Sequence, residues 1–110
     1  MPIRSKKLFD GNFSSVGVEN VMYTVPSGMS TILKSIYAAV LTGTTGDFSV
    51  YIRSAGNYNT LYIFRPGTVP LNEPQVWSGW LVLDPGDIIA CFVDQTTYLW
   101  VSGTELEGVA

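Results

Sequence analysis

Carboxylates are the side chains with the best prospect of acid–base chemistry here, because the sequence contains no histidine. The commonest general base, the Ser–His and Cys–His pairs and the usual ligand of catalytic zinc are therefore missing. Asp84 and Asp87 are three residues apart and could form an acid–base pair. They flank Pro85 and Gly86, however, and aspartate is favoured beside turns because it hydrogen-bonds to nearby backbone. We expect these aspartates to hold a turn, and we predict that the protein is not an enzyme.

A metal site built from carboxylates would need Asp84, Asp87 and Asp94 at one end of the fold, where their oxygen atoms could bind calcium. Their spacing does not match an EF-hand loop, and the sequence contains no glycine loop of the phosphate-binding type. Cys91 is the only cysteine and lies in an apolar run, so we predict a small buried side chain without a disulfide. The sequence predicts no metal and no cofactor.

Aromatic side chains are the other candidates for a site. Trp77 and Trp80 are three residues apart in a predicted strand and must point to opposite faces. One of them should face the core and the other a loop or a partner subunit, because Trp is enriched at interfaces. Exposed aromatics also suit carbohydrate, and the loop with Asn57, Tyr58 and Asn59 is the candidate glycan contact. Ordinary core and loop packing remains the third interpretation.

The elements that must position these residues are strands. Val, Ile, Thr and Tyr are plentiful, and 11 Gly and 6 Pro divide the chain at short intervals. With 110 residues, the chain can bury a single core. We predict an all-β fold, an antiparallel two-sheet β-sandwich of seven to eight strands. Both a jelly-roll and an immunoglobulin-like topology fit this pattern.

Individual strands follow from period-2 patterns. Phe48 to Arg53 alternates, with Phe48, Val50 and Ile52 predicted inward, and Ile88 to Val93 is apolar on both faces, as in a central strand. In the strand from Ser30 to Val40, Ile32 and Ile36 are predicted to share one face, with Leu33 on the other. Gln75 to Phe92 is predicted to be a β-hairpin around the Asp-Pro-Gly-Asp turn. Leu61 to Phe64 is predicted as a short strand, and Thr68 to Pro74 as a crossover loop.

Charge is distributed unevenly along the chain. Half of the six basic residues lie in the first seven positions, whereas the chain from Leu8 onward has three basic and nine acidic residues. We interpret residues 1–12 as a basic N-terminal arm and residues 13–110 as one β-sandwich domain. An acidic body argues against nucleic acid as a partner, and no apolar stretch is long enough for a membrane span. The candidate interface residues in the arm are Arg4, Lys6, Lys7, Leu8 and Phe9. Outside the arm, Trp77 and Trp80 are also candidate interface residues.

Three segments of the chain resemble small structural proteins of tailed-bacteriophage virions. The first, from Val21 to Tyr37, contains a strand and turn of the type YTVP-G followed by TILKSI. The second runs from Trp80 to Ile89 and contains DPGD, and the third, Val101 to Leu106, reads VSGTEL. Together the matches extend over both ends of the predicted sandwich and leave its middle loops uncovered.

This resemblance implies a β-sandwich that belongs to a phage particle, with a capsid decoration or cement protein as the first prediction. Such proteins pack into symmetric oligomers, need no cofactor and share no catalytic motif. The implied partners are copies of the chain itself, predicted as a trimer, and the major capsid or other virion proteins. The implied location is the virion, after synthesis in the host bacterial cytoplasm. The alternative is a neck, tail or fibre component that could bind carbohydrate during host attachment.

Overall fold

A computed structural model describes residues 6–14, 17–43, 45–55 and 60–107. These residues form eight strands and the turns between them, which confirms the predicted all-β fold. In this part of the chain no helix is long and apolar enough to cross a membrane. The strands are β1 (Lys6–Phe13), β2 (Asn20–Thr24), β3 (Met29–Val40), β4 (Thr45–Arg53), β5 (Thr60–Pro70), β6 (Gln75–Leu83), β7 (Ile88–Val93) and β8 (Thr97–Glu107).

The strands form two antiparallel sheets of four, in the orders β1-β8-β3-β6 and β2-β7-β4-β5. Hydrogen-bonded pairs join β1 with β8, β2 with β7, β3 with β6, and β4 with β5. The first half of the chain is thus paired with the second half in reverse order, as when one long hairpin is rolled into a sandwich. This arrangement is the jelly roll, so the structure decides between the two predicted topologies.

The turn between β6 and β7 has the predicted chemistry but not the predicted role. The Asp87 amide donates a 3.0 Å hydrogen bond to the Asp84 carbonyl, and Gly86 has a φ of 87°, as the third residue of a type II turn requires. However, β6 pairs with β3, whereas β7 pairs with β2 and β4 in the other sheet. The prediction of a hairpin is therefore wrong, because this turn forms a corner that takes the chain from one sheet to the other.

The predicted N-terminal arm is wrong for residues 6–12, because they lie in β1, which pairs with β8 along its length. The register of this pair shifts between Lys7 and Phe9. Such a bulge interrupts the alternation of side chains, so Leu8 and Phe9 can both pack against the core. Because the apolar residues do not alternate regularly, the sequence pattern did not predict this strand. Arg4 lies outside the described residues.

The core lies between the two sheets and confirms the predicted inner face of β4 and the predicted inner position of β7. Phe48, Val50 and Ile52 are buried in the core, and β7 lies between β2 and β4 in its sheet, although Phe92 on its outer face is 40% exposed. Tyr51 points away from this core and is nevertheless only 4% exposed, since Glu19 and neighbouring aromatic rings cover it. The other large buried side chains of the core are Val25, Leu33, Ile36, Val40, Leu83, Ile89, Leu99 and Val101.

Two strands differ from the predicted pattern. In β3 the register shifts between Leu33 and Ser35, and this shift buries Leu33 together with Ile36 while Ile32 is only half-buried. The prediction that Ile32 and Ile36 share one face, with Leu33 on the other, is therefore wrong. Strand β5 continues to Pro70, through residues predicted as a loop. Because β5 is an edge strand, its prolines do not interrupt a ladder on both sides.

Candidate functional site

The face of the β1-β8-β3-β6 sheet that points away from the core carries an exposed apolar surface. Antiparallel partners lie on the same side of a sheet, and the register places Asp10, Trp100, Tyr37 and Val76 in one row across its four strands. Trp100 is 44% exposed and Val76 is 64% exposed. We call the five exposed large side chains of this face the outer-face patch, which consists of Tyr37, Val76, Trp80, Val82 and Trp100.

The two tryptophans of β6 face opposite sides, as predicted. Trp77 is half-buried and packs against the core, whereas Trp80 is 64% exposed and belongs to the outer-face patch. Gly79 makes room for the Trp77 ring, because a Cβ atom at position 79 would lie 2.7 Å from Cζ2 of Trp77. On the outer face, the ammonium group of Lys34 lies 5.6 Å from the centre of the Trp80 ring. The question of which tryptophan faces outward is thus answered by the local packing of β6.

A shallow groove crosses the outer face beside Trp100. Its lining residues are Ser35, Tyr37, Val76, Tyr98 and Trp100. The rings of Tyr37 and Tyr98 meet edge to face, with 6.3 Å between their centroids. The Ser35 hydroxyl is within 2.6 Å of the Ser102 hydroxyl. The groove therefore offers aromatic rings and hydroxyl groups side by side, which is a combination suited to stacking and hydrogen bonding.

One border of the groove is formed by a small polar cluster. The Tyr98 hydroxyl donates a 2.5 Å hydrogen bond to Asp10, and the Lys7 ammonium group contacts the same carboxylate at 3.1 Å. These two partners, Tyr98 before Lys7, hold the pKa of Asp10 below its ordinary value, and the carboxylate in turn raises the pKa of Tyr98. Lys7 also lies 5.4 Å from the centroid of the Trp100 ring. Lys7 thus touches both the polar border and the aromatic surface.

The residues predicted as contacts of a basic arm make contacts within the chain. Lys6 forms an ion pair with Glu105, and Lys7 forms one with Asp10. Leu8 and Phe9 pack against the core, and the ring of Phe9 stacks on Phe13 at 5.2 Å. Their predicted role in an interface stays a prediction. Arg4 and the candidate glycan residues Asn57, Tyr58 and Asn59 lie outside the described residues.

The carboxylates that were considered for catalysis or calcium have structural roles. Asp87 accepts hydrogen bonds from the amides of Asp84, at 2.9 Å, and Ala55, at 3.0 Å. Asp94 follows the other end of β7, about 20 Å away for a six-residue strand, and accepts a 2.6 Å hydrogen bond from the Asp47 amide. The calcium hypothesis is therefore wrong for these three aspartates. In the described part of the chain, no group of three or more Asp, Glu, Cys and His side chains could hold a metal.

The single thiol is buried, as predicted. Cys91 is 0% exposed and points into the core from β7. Burial raises its pKa to about 12, so the reactive thiolate form is strongly disfavoured at neutral pH.

Comparisons with known proteins show the fold of this chain. Protein-family models and curated proteins gave no match. Among solved structures, one of Bacillus endospore appendages, described as disulfide-linked pili, is 14% identical, with a TM-score of 0.62 over 97% of this chain and 89% of that chain. A structure of the T13 IBDV viral particle is 10% identical, with a TM-score of 0.63 over 96% of this chain and 31% of that chain. At these identities, the likeness establishes a shared β-sandwich.

The sequence identified only part of the outer-face patch. Trp80 was a candidate interface residue, and the even spacing of Val76, Trp80 and Val82 along the chain places them on one face of a strand. Trp100 and Tyr37 come from β8 and β3, and only the strand order brings them beside β6. A period-2 pattern gives the faces of one strand but not its neighbours, so Tyr37 and Trp100 could not be joined to the site without the sheet order.

Proposed function

We propose that this chain is a non-enzymatic structural subunit that assembles with copies of itself into a virion or an extracellular appendage. The observation that carries the proposal is the outer-face patch. Monomeric proteins rarely expose large contiguous apolar surfaces, and such surfaces commonly mark sites of association. Three of its five members, Tyr37, Trp80 and Trp100, are aromatic, and aromatic side chains are enriched at interfaces.

The energetic gain from covering the patch would be substantial. Val76, Trp80 and Val82 are 60–64% exposed, and burying each of them would contribute roughly 1–3 kcal/mol. In the isolated chain these three side chains do not contribute to the core. Their burial in an assembly is therefore a physical reason for apolar residues at these surface positions.

The similar folds support the same proposal. One occurs in a viral particle and another in pili, and both are assemblies of repeated subunits. Together with the resemblance to tailed-phage proteins, they favour a capsid decoration or cement protein whose further partner is a capsid subunit. A neck, tail or fibre component is the alternative within the same class.

Size-exclusion chromatography with light scattering tests the assembly. We expect the full chain to form an oligomer whose population grows with protein concentration. Trp80→Ser should weaken it, whereas Leu61→Ser should leave it unchanged, since Leu61 is 52% exposed on the other sheet. A chain that remains monomeric at all concentrations would contradict the proposal. Co-sedimentation with phage particles that lack the protein tests the proposed role on a capsid. Failure to bind these particles would contradict the capsid role but not self-assembly.

A second candidate function is carbohydrate binding in the groove beside Trp100. The observation that favours it is the set of rings and hydroxyl groups contributed by Ser35, Tyr37, Tyr98 and Trp100.

A glycan array followed by calorimetry tests this second function. Trp100→Ala should abolish binding of any glycan found, because a stacking surface is lost. Phe92→Ala is the matched control, since Phe92 is 40% exposed on the other sheet. An array without binding, or equal losses in both variants, would rule out the groove as the glycan site.

A further inference from the structure

We infer that two copies of this chain pair through the free edge of β6, antiparallel and around a twofold axis, so that two four-stranded sheets become one sheet of eight. This inference rests on the proposed self-assembly and specifies its contact. In the described part of the chain, β6 pairs on one side only, with β3. The groups on its other side are the backbone donors and acceptors of an open sheet edge.

The four sheet edges differ in how well they are protected. Natural sheets protect their edges with charges, prolines, bulges or short strands. Strand β1 has the charges of Lys6, Lys7 and Asp10 together with a bulge, β2 is only five residues long, and β5 contains Pro66 and Pro70. Strand β6 has nine residues, with neither a charge nor a proline, although it is bulged near Gly79. It is the edge that is best able to accept another strand.

The same comparison determines the symmetry. If β6 is the accessible edge, its partner in a second copy is also β6, and contact between identical edges produces a closed twofold dimer. A trimer would need β6 to pair with a different edge, and the other three are protected. An antiparallel pair of this length, shortened by the bulge, forms about six hydrogen bonds, which lies within the range of specific interfaces. The assembly unit is therefore a dimer rather than the trimer predicted from the resemblance.

Charge also favours this pairing. Strand β6 itself contains no charged residue, and on the outer face the ammonium group of Lys34, in β3, lies over the Trp80 ring. Pairing of β6 with its copy therefore places no two charged residues on adjacent strands. Pairing of β1 with its copy would instead bring the lysines of two copies onto adjacent strands. The β6 edge can thus pair with its copy without placing like charges on adjacent strands.

The pairing also extends the outer-face patch. Val76, Trp80 and Val82 are exposed on β6, so antiparallel pairing places these side chains beside their copies. Neighbouring side chains on paired strands lie about 5 Å apart and pack against each other. Part of the most exposed apolar surface is thereby covered without any change in the fold.

Hydrogen exchange of the full chain, combined with light scattering, tests the inference without a mutation. We expect a dimer in which amides of Gln75–Leu83 exchange at least tenfold more slowly at high than at low protein concentration, while amides of β1 are unchanged. An oligomer whose β6 amides show no such slowing would overturn the β6 contact but leave self-assembly intact. A monomer at every concentration would overturn both proposals.

Variants provide an independent readout. Val76→Lys and Val82→Lys place a charge on the β6 edge at exposed positions, and each should raise the dimer dissociation constant at least tenfold. Trp100→Lys is the matched control, because Trp100 lies on the same face but two strands away from the edge, and it should change that constant less than threefold. Equal effects of all three variants would indicate face-to-face association and would overturn pairing through the edge.

Discussion

The phenol of Tyr23 donates a 2.5 Å hydrogen bond to the carboxylate of Glu105 and thereby joins an edge strand of one sheet to an inner strand of the other. The same phenol oxygen lies 2.7 Å from the hydroxyl of Thr31, and Lys6 forms an ion pair with Glu105. Burial, followed by the Glu105 hydrogen bond, raises the pKa of Tyr23 to about 12. Lys6, followed by Tyr23, lowers the pKa of Glu105. Four strands thus meet at one polar cluster between the sheets.

Replacement of Glu105 by Gln should reduce the free energy of unfolding by about 1–3 kcal/mol at neutral pH, since a charged hydrogen-bond partner is removed. Because the pKa of Glu105 is lower in the folded than in the unfolded chain, its stabilisation is complete above its unfolded pKa of about 4.3 and is lost as the pH falls through the folded pKa. Urea unfolding at neutral and acidic pH should therefore show a difference that shrinks in acid. Glu107→Gln, at the exposed end of the same strand, is the control, and a deficit independent of pH would contradict this assignment.

Glu19 should hold the chain before β2 against the outer side of β4. It accepts hydrogen bonds from Arg53 at 2.6 Å and 2.9 Å, and a further one from Tyr51. Tyr51, then Arg53, lowers the pKa of Glu19 despite its partial burial. Glu19→Ala should cost about 1–3 kcal/mol of stability and speed proteolysis near Gly17. Glu73→Ala, at an exposed loop position, is the control, and unchanged proteolysis would contradict the anchoring role.

Gly103 is required by the close approach of β8 to β3. A Cβ atom at this position would lie 2.4 Å from the carbonyl oxygen of Ile32, and a backbone group cannot move aside as a flexible side chain can. Gly103→Ala should therefore lower stability by about 1–3 kcal/mol, as overpacking does. Thermal unfolding gives the measurement, with Gly11→Ala as the control because its nearest neighbour is the Phe9 ring at 3.2 Å. Equal stability of the two variants would show that β3 and β8 can separate without cost.

Cys91 should report on global unfolding. Its side chain is fully buried in β7, and burial raises its pKa to about 12. A thiol reagent should therefore react only with molecules that have opened, at a rate set by the unfolding equilibrium. The measurement compares labelling in increasing denaturant with unfolding followed by tryptophan fluorescence. Rapid labelling of the native protein would show that β7 opens locally.

The sequence predicted those parts of the fold that depend on local pattern. The alternation of Phe48, Val50 and Ile52 gave the correct inner face of β4, and the apolar run from Ile88 to Val93 identified an inner strand. The turn from Asp84 to Asp87 was also predicted, and the hydrogen bond between its ends is present. Each of these follows from residues that are close together along the chain.

The wrong predictions share a physical cause, which is that strand pairing is non-local. A type II turn with Pro and Gly is compatible both with a hairpin and with a corner between sheets, and the distant partners β2 and β4 decide which one forms. Bulges have the same effect, because the register shifts near Leu8 and Lys34 break the period-2 pattern. The outer-face patch likewise depends on the neighbours of β6, so the sequence did not join Trp80 with Tyr37 and Trp100.

The reverse-order pairing of the two halves has a kinetic consequence. Among the described residues, β1 pairs with β8, with Lys6 opposite Gly103, so the two sheets cannot close until nearly this whole part of the chain has left the ribosome. Sequences dominated by such distant contacts have a high contact order and fold in milliseconds to seconds rather than microseconds. Before β8 has been synthesised, β6 is already present, and premature association of its uncharged edge would compete with folding.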